Sequence, residues 1–303
     1  MQNSLNLNLR FFKNCPLCSS KHIKNIGLRY NSSQGLFPCK KGTIGISAYR
    51  CSVCDVVFAN PMPINTSQFY EAQSPTEYFD VILTKDDQVN RWNTIKEFVY
   101  KHINSFDKAL DVGSGIGIWT QLLIQNFKEV VAVEPSKTFF KQLKENLQEH
   151  KSAKLYQSTF EEFSNSNPSD RFDFIFIHEV LEHVPNPIEL LSIAKSKLKE
   201  KGIIYVCVPN NRWLTYTLVK LAYALTGKCF TPHLAPLHPP FHLYEFSKNT
   251  IHHVAQILNL KIIDMRTRTE RTYVPRPLHY PVKFFSKLLD KGYEVEVIFR
   301  KSA

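Results

Sequence analysis

Between residues 109 and 208 the chain alternates short apolar runs with segments of helical length, and this alternation constrains the fold more than any other feature. The apolar runs predict strands at 109–112, 130–133, 154–156, 172–177 and 203–208, and the segments between them predict helices at 116–126, 137–150 and 188–198. Strands separated by helices of this length imply crossover connections and a mostly parallel sheet. Because such crossovers are right-handed, the sequence predicts an α/β fold with a doubly wound sheet.

Further predicted elements flank this alternation. A helix is predicted at 87–103, and a proline-rich segment at 209–245 interrupts the rhythm. After it, the pattern predicts a helix at 247–258 with Ser247 as its N-cap, a strand at 261–265, a helix at 281–289 and a strand at 293–299. The two additional strands bring the predicted sheet to seven.

A glycine-rich loop joins the first predicted strand to the first helix. The loop residues that we expect to approach a ligand are Asp111, Gly113, Ser114, Gly115 and Gly117. Glycines let a backbone turn tightly and come close to a bound molecule. A dinucleotide-binding loop would need another glycine at the position of Ile118. Dinucleotide binding is therefore excluded. Glu134 ends the second strand, where an acid reaches the ribose hydroxyls of an adenosine in sheets of this kind.

These features resemble the class I S-adenosylmethionine-dependent methyltransferases. Residues 172–187 are similar to the fourth-strand region of that family, and residues 202–209 are similar to its fifth strand. The resemblance implies a Rossmann-like methyltransferase domain over residues 88–303, with S-adenosylmethionine held by the glycine loop and Glu134. It also implies adenine contacts after the third strand, where the family often has an aspartate and this chain has Thr159 and Phe160.

The end of the fourth strand carries the candidate catalytic residues. Methyl transfer requires an acceptor held in line with the sulfonium methyl, often with removal of its proton. His178 is predicted either to be the general base or to line the cofactor pocket. Glu179, Glu182 and His183 form an E-x-x-E-H motif whose carboxylates would share one face of a helix. Similar motifs in ubiquinone-pathway and small-RNA methyltransferases imply a divalent-metal site; alternatively, the motif only fixes the turn before Pro185.

The proline-rich segment at 209–245 is predicted to form a lid over the acceptor. His233, His238 or His242 could supply a further metal ligand, and His242 is expected to face the acceptor together with Tyr244. One apolar stripe follows helical spacing through Leu214, Leu218, Leu221 and Leu225. This stripe is predicted to pack on the sheet; alternatively, it contacts an apolar acceptor or a membrane surface.

Two Cys-x-x-Cys pairs precede the predicted sheet. The candidate metal ligands are Cys15, Cys18, Cys51 and Cys54. Two such pairs can hold Zn²⁺ tetrahedrally, whereas a redox pair would need a thioredoxin-like context that is absent. The sequence therefore predicts a structural zinc-ribbon module at 11–63, followed by a connector at 64–87. The module resembles the leader of methyltransferases that act in sugar and surface-glycan biosynthesis; a nucleic-acid-binding ribbon is the competing interpretation.

Composition limits the partners. No apolar run is long enough to span a membrane and residues 1–10 lack the features of a signal peptide, so a cytoplasmic location is expected. Weak peripheral membrane contact is an open alternative. The formal net charge is +11, but the chain has no run of five basic residues, so nucleic acid is not an expected partner. The expected function is methyl transfer to a sugar or nucleotide-sugar. The alternatives are an O-methyltransferase of a quinone-like apolar acceptor, and a cofactor- or nucleic-acid-binding protein without catalysis.

Overall fold

The structure is a computed structural model that describes residues 8–30, 45–64, 71, 73, 75, 85–269 and 272–302. Most of the predicted connector at 64–87 lies outside the described residues. The N-terminal part contains five strands: β1 (Leu9–Arg10), β2 (Ile23–Tyr30), β3 (Gly45–Cys51), β4 (Val57–Asn60) and β5 (Met62–Pro63). Strands β2, β3 and β4 pair antiparallel, and β1 pairs with β5.

The alternation of strands and helices follows the order expected from the sequence, except that a helix at Phe160–Ser166 was not predicted. Its first elements are α1 (Lys85–Tyr100), β6 (Lys108–Val112), α2 (Ile118–Ile124), β7 (Glu129–Val133), α3 (Lys137–Asn146), β8 (Ala153–Tyr156), α4 (Phe160–Ser166), β9 (Phe172–His178), α5 (Pro187–Lys197) and β10 (Leu198–Pro209). The remaining elements are α6 (Leu214–Leu225), β11 (Tyr244–Glu245), α7 (Lys248–Ile257), β12 (Leu260–Arg268), a 3₁₀ turn (Arg276–Leu278), α8 (His279–Leu288) and β13 (Glu294–Lys301). The predicted N-cap of α7 is confirmed, because the Ser247 side chain accepts a hydrogen bond from the Thr250 N–H.

The central sheet has seven strands in the order β12-β13-β10-β9-β6-β7-β8. Neighbours from β10 to β8 run parallel, while β13 is antiparallel to both β10 and β12. The predicted doubly wound, mostly parallel α/β sheet is therefore confirmed. Chain order reverses between β6 and β9, and in such sheets the ligand cleft opens at the carboxyl ends of the strands beside this switch point.

The inner strands of this sheet are buried on both faces, whereas the edge strands β8 and β12 are only partly buried. Leu110 and Ile175 belong to the core on one side, which also holds α5 and α7, whereas Ala109 and Phe174 belong to the core beneath α1. Parallel sheets covered by helices require such continuous apolar runs, since both faces lose contact with water. This double burial explains why the strands were recognisable in the sequence without polar alternation.

The segment between β10 and α7 connects the central sheet to the N-terminal one. β11 pairs antiparallel with β4 and extends that sheet to the order β11-β4-β3-β2. The Ala59 N–H donates to the Leu243 carbonyl at 3.0 Å, and Asn211 Nδ2 donates to the Asp55 carbonyl at 2.7 Å. The end of the segment predicted to be a lid, Leu243 to Glu245, is thus buried against the N-terminal sheet.

Three of the four leucines in the α6 stripe face outward. Leu218, Leu221 and Leu225 are 49%, 56% and 79% exposed. The prediction that this stripe packs on the sheet is therefore wrong, because α6 buries Thr215 and Tyr223 instead. Within the described ranges, no helix combines the length and the apolar character needed to cross a bilayer.

Candidate functional site

The glycine loop lies at the switch point of the central sheet. Gly113, Gly115 and Gly117 all have positive φ angles, of 68°, 56° and 89°. The N–H groups of Gly113 and Ser114 donate to the Val133 carbonyl at 2.9 and 3.1 Å, which ties the loop to β7. A Cβ at Gly113 would lie 2.8 Å from Val180 Cγ2, so the turn that follows β9 packs directly on the loop.

Glu134 closes one edge of this loop. Its Oε2 accepts a hydrogen bond from the Gly115 N–H at 2.7 Å, and its Oε1 accepts one from the Ser136 N–H at 2.9 Å. Burial raises the pKa of Glu134 to about 7, although the two backbone donors oppose that shift. The predicted ribose partner is thus a fixed carboxylate beside the loop backbone.

Asp111 supports the loop from beneath. Its Oδ2 accepts a hydrogen bond from Thr120 Oγ1 at 2.6 Å, and its side chain is buried. Burial raises the pKa of Asp111 to about 7 from an ordinary value of 3.8. The side chain therefore links the strand to α2, and its predicted cofactor role remains a prediction.

The variant Asp111→Asn is expected to change how stability depends on pH. The folded-state pKa near 7 lies above the ordinary value, so the folded protein holds this proton more tightly than the unfolded chain does. The stabilising contribution is present at low pH and is lost as the pH rises through about 7. Between pH ~5 and ~7 the wild type should lose about 2 kcal/mol of unfolding free energy relative to the variant, measured by urea denaturation. A difference that does not vary with pH would contradict this expectation.

The residues predicted to contact adenine have local structural roles. Thr159 is the N-cap of α4: its hydroxyl accepts from the Glu162 N–H at 3.2 Å, and Glu162 Oε2 accepts from the Thr159 N–H at 2.9 Å. Phe160 is buried in the core beside Phe163. Their adenine contacts remain predictions. The buried hydroxyl of Ser158 has no hydrogen-bond partner, and its position before the cap gave no sequence signal.

His178 lies at the end of β9 among aromatic rings. Its ring centroid is 4.8 Å from that of Trp119 and 5.5 Å from that of Phe176, and Nε2 is buried without a partner. Burial, assisted by the positive charge of Arg91, lowers the pKa of His178 to about 3. The imidazole is consequently neutral at physiological pH and only weakly basic. This favours a pocket-lining role over that of general base.

The environment of Glu179 differs from the predicted one, in which Glu179 shares a helical face with Glu182. Residues 179–186 form turns rather than a helix, and Glu179 has a φ of 55°. Its Oε1 accepts from Arg91 Nη2 at 3.3 Å, and the same guanidinium donates to Glu294 at 2.7 Å. Burial alone would raise the pKa of Glu179, but Arg91 lowers it well below its ordinary value. The expected convergence of two carboxylates on one helical face is therefore wrong.

Glu182 instead converges with two histidines. Its Oε1 lies 3.9 Å from Nε2 of His183 and 3.9 Å from Nε2 of His242, and the two imidazole rings are 4.9 Å apart. Glu182 is fully buried, and neither carboxylate oxygen has a hydrogen-bond partner. Burial raises the pKa of Glu182 well above its ordinary value. An unpaired buried carboxylate is costly, so this cluster has the chemistry of a cation site.

Backbone contacts hold this cluster in place. The N–H groups of Leu243 and Tyr244 donate to the Glu182 carbonyl at 2.7 and 3.2 Å. His183 Nδ1 lies 3.4 Å from the Phe241 carbonyl, which favours a proton on Nδ1 and so places the ring lone pair on Nε2, 3.9 Å from Glu182 Oε1. Of the three histidines considered as a further ligand, His242 is the one brought to Glu182.

The other two histidines have different partners. His233 Nδ1 is hydrogen-bonded to the buried Glu245, and His238 lies 3.3 Å from Arg29 Nη2. An aromatic cluster lies beside His233. It is formed by Trp213, Tyr216, Tyr273 and Tyr293. The indole Nε1 of Trp213 is buried without a partner. Rings with an unpaired donor suit a planar ligand that carries oxygen atoms.

The four paired cysteines come together in the N-terminal part. The sulfurs of Cys15 and Cys54 are 3.6 Å apart, as are those of Cys18 and Cys51, and all four lie within 4.8 Å of one another. Four ligands at a Zn–S distance of about 2.3 Å around tetrahedral zinc would be about 3.8 Å apart. Backbone N–H groups also point at the sulfurs, for example Val56 to Cys54. The arrangement fits a closed structural Zn²⁺ site.

A third cluster of potential ligands is held by other partners. Cys207, Glu294 and Glu296 lie together at the ends of β10 and β13. Arg91 donates to Glu294, while the Tyr205 hydroxyl donates to Glu296 at 2.7 Å. Arg266 and Arg268 also pair with Glu296. These cations neutralise the carboxylates, so the cluster needs no metal.

Comparison with known proteins relates this chain to methyltransferases. Residues 83–264 match the family model described as a methyltransferase domain. The chain is 31% identical over 119 residues to the mitochondrial ubiquinone biosynthesis O-methyltransferase of Dictyostelium discoideum, covering 36% of this chain and 37% of that protein. It is also 31% identical over 119 residues to the ubiquinone biosynthesis O-methyltransferase of Actinobacillus pleuropneumoniae, covering 37% and 50% of the two chains. The matches therefore span half or less of the length of these relatives.

A solved structure supports the fold. The chain superimposes on an S-adenosylmethionine-dependent methyltransferase of Leishmania major with a TM-score of 0.56 and 13% identity, covering 78% of this chain and 81% of that one. At this identity the similarity concerns the fold alone.

Proposed function

The chain belongs to the methyltransferase-domain family, and from that premise we propose that it transfers a methyl group from S-adenosylmethionine to a hydroxyl of a small, apolar, quinone-like aromatic acceptor. The observation that carries the proposal is a buried cluster in which His242 meets Glu182 and His183, two residues of the turn whose Val180 packs against Gly113. The names of the curated relatives favour this acceptor class over the sugar or nucleotide-sugar first expected.

The cofactor would be held mainly by backbone and by Glu134. The positive φ angles and the tight contact at Gly113 leave a cradle that only glycine can form. The Glu134 carboxylate can accept hydrogen bonds from ribose hydroxyls beside the loop. Buried hydroxyls without partners at Ser114 and Ser158, together with Nε2 of His178, offer further polar contacts for a bound nucleoside and its amino-acid tail.

The cluster around Glu182 would hold a divalent cation. One carboxylate and two imidazoles form a mixed oxygen and nitrogen donor set that suits manganese, iron or zinc better than magnesium. When bound, such a cation lowers the pKa of a coordinated hydroxyl and holds the attacking oxygen. The hydrogen bond to the Phe241 carbonyl keeps His183 in the tautomer that such a role requires.

Loss of the acceptor proton is assigned to this cluster rather than to His178. A base with a pKa near 3 contributes little at neutral pH, since efficient general bases have a pKa near the working pH. His178 would then separate the cofactor from the acceptor, with one face against Trp119. We expect the aromatic cluster around Trp213 to contact the acceptor ring.

Methyl transfer from radiolabelled S-adenosylmethionine tests the proposal. Purified full-length protein is offered alkyl-substituted catechols in parallel with a panel of nucleotide-sugars, with and without chelator and with single added divalent metals. The expected result is metal-dependent labelling of catechols. Labelling of nucleotide-sugars alone would overturn the acceptor class, and absence of calorimetric binding of S-adenosylmethionine would overturn the proposed activity.

The variant Gly113→Ala is expected to lose cofactor binding. Its Cβ would meet Val180 at 2.8 Å, and its φ of 68° is unfavourable for alanine. We expect the dissociation constant for S-adenosylmethionine to rise more than about tenfold in calorimetry, since a strain of about 1–3 kcal/mol would fall on the loop itself. Gly227→Ala is the matched control, because its φ is 64° and a Cβ there meets nothing within 4 Å. Equal losses in both variants would contradict a specific role for the loop.

A further inference from the structure

Two adjacent helices leave large apolar side chains in contact with solvent. Helices α6 and α8 pack against each other beyond the carboxyl ends of the central strands. The exposed residues, which together we call the apolar face, are Leu218, Leu221, Leu225, Tyr280, Phe284, Phe285, Leu288 and Leu289. Their exposed fractions run from 49% to 84%. Exposed apolar groups of this size mark a surface that contacts another apolar phase.

Helix α8 is arranged so that its larger side chains point outward. Tyr280, Phe284 and Leu288 recur every four residues and form one exposed stripe, with exposed fractions of 84%, 64% and 66%. The side chains that α8 buries are the smaller Val282 and Ser286. A helix selected only for packing would bury its phenylalanines and expose its serine. The outward stripe is thus the part of α8 that requires an explanation.

The two segments that carry the apolar face are basic as far as Leu289, and the acid that follows, Asp290, is paired with Lys248. Residues 212–243 and 272–289 contain no aspartate or glutamate, although a chain with 27 acidic residues in 303 would place about four in segments of this combined length. The same segments carry basic residues, which are Arg212, Lys220, Lys228, Arg276, Lys283 and Lys287. Lys283 and Lys287 are also four residues apart, and each directly precedes a residue of the exposed α8 stripe. Leucine and aromatic side chains bordered by lysine are the composition of helices that lie in a membrane interface.

We propose that the apolar face docks on the surface of an anionic lipid bilayer. In this arrangement α6 and α8 lie in the headgroup region, with the leucine and phenylalanine side chains among the upper acyl carbons and the lysines at the phosphates. The basic charge of these two segments favours an anionic lipid surface over a second copy of this chain, which would bring like charges together.

The apolar face borders the aromatic cluster proposed to contact the acceptor. Helix α6 begins at Leu214, directly after the buried Trp213, whose ring is 5.7 Å from that of the 63% exposed Tyr273. An apolar acceptor could therefore pass from the bilayer to the site without entering bulk water. Membrane docking goes beyond the proposed function, because lipid binding does not depend on which acceptor is methylated.

Vesicle co-sedimentation of the full-length protein tests the proposal without cofactor or acceptor. We expect binding to phosphatidylcholine vesicles that contain phosphatidylglycerol, weak binding to phosphatidylcholine alone, and loss of binding as salt is raised. The double variant Phe284→Ser/Leu288→Ser should bind more than about tenfold more weakly, because it removes two inserted side chains. Lys283→Gln/Lys287→Gln should also weaken binding more than about tenfold, since each basic residue near an anionic surface contributes about fivefold.

Ile257→Ser is the matched control, because it removes an apolar side chain that is 48% exposed at the end of α7. It should bind vesicles like the wild type. Absence of binding to anionic vesicles would overturn the proposal, as would binding that both double variants retain. Light scattering that reveals a dimer broken by Phe284→Ser/Leu288→Ser would assign the face to a second copy instead. Circular dichroism confirms that each surface variant is folded.

Discussion

Replacing Glu182 by glutamine is expected to lower turnover by about 100-fold or more while leaving affinity for S-adenosylmethionine within about twofold of the wild type. Glutamine has the shape of glutamate but lacks the charge that would bind a cation between His183 and His242. The measurement is the initial rate as a function of added manganese, and the metal concentration for half-maximal rate should rise. The cofactor loop is formed by other residues, so calorimetry of cofactor binding reports separately on an intact fold.

The alternative role of Glu182, fixing the turn before Pro185, predicts a different outcome. In that case Glu182→Gln would leave the metal dependence unchanged and would act on stability alone. Our expectation for the metal-free protein is that the variant is at least as stable as the wild type, because it replaces a buried carboxylate whose oxygens have no partner. Glu149→Gln, at an exposed carboxylate after α3, is the control and should behave like the wild type in both assays. Full turnover by Glu182→Gln would remove the cluster from the proposed reaction.

Cys54→Ser is expected to destabilise the N-terminal sheet and, through it, the catalytic cluster. Cys54 is fully buried, and its sulfur lies 3.6 Å from that of Cys15. If zinc holds the four thiolates, losing one ligand should cost more than about 5 kcal/mol, since structural zinc contributes roughly 10–16 kcal/mol to small zinc domains. We expect elemental analysis to give one zinc per wild-type chain and a strongly reduced content in the variant, with a lower unfolding temperature.

The matched control for this prediction is Cys229→Ser, which alters an exposed cysteine outside the cluster. It should keep its zinc and its unfolding temperature. Zinc-free wild-type protein with unchanged stability would contradict a structural zinc site. A drop in turnover of Cys54→Ser that exceeds its loss of cofactor binding would show that the effect reaches His242.

The central sheet could be predicted because its sequence signals are local. Strands buried on both faces appear in the sequence as uninterrupted apolar runs. The loop backbone has positive φ angles, which favour glycine, so glycines such as Gly113 mark the loop in the sequence. The position of Glu134 beside the glycine loop could be predicted for the same reason, because a residue at the end of the second strand of the sheet lies next to that loop. These features depend on chain geometry over a few residues rather than on distant contacts.

The features that could not be predicted from the sequence depend on contacts between distant segments of the chain. Nothing near Glu179 in the sequence indicates that its carboxylate pairs with Arg91, 88 residues earlier. Helical periodicity indicated the leucine stripe of α6 but not which side would meet the sheet, because an apolar stripe suits a core and a lipid surface equally. The pairing of β11 with β4 had no sequence signal, since a two-residue strand is too short to show alternation.

The pairing of β11 with β4 also has a consequence for synthesis. Residues 57–60 of β4 are synthesised more than 180 residues before their partner at 244–245. During that interval one edge of the N-terminal sheet stays open, and such an edge can recruit a strand from another nascent chain. Closure of this edge brings the Leu243 and Tyr244 N–H groups to the Glu182 carbonyl, so His242 reaches the cluster in the same event. The candidate site is therefore completed only late in chain elongation, when the N-terminal sheet gains its last strand.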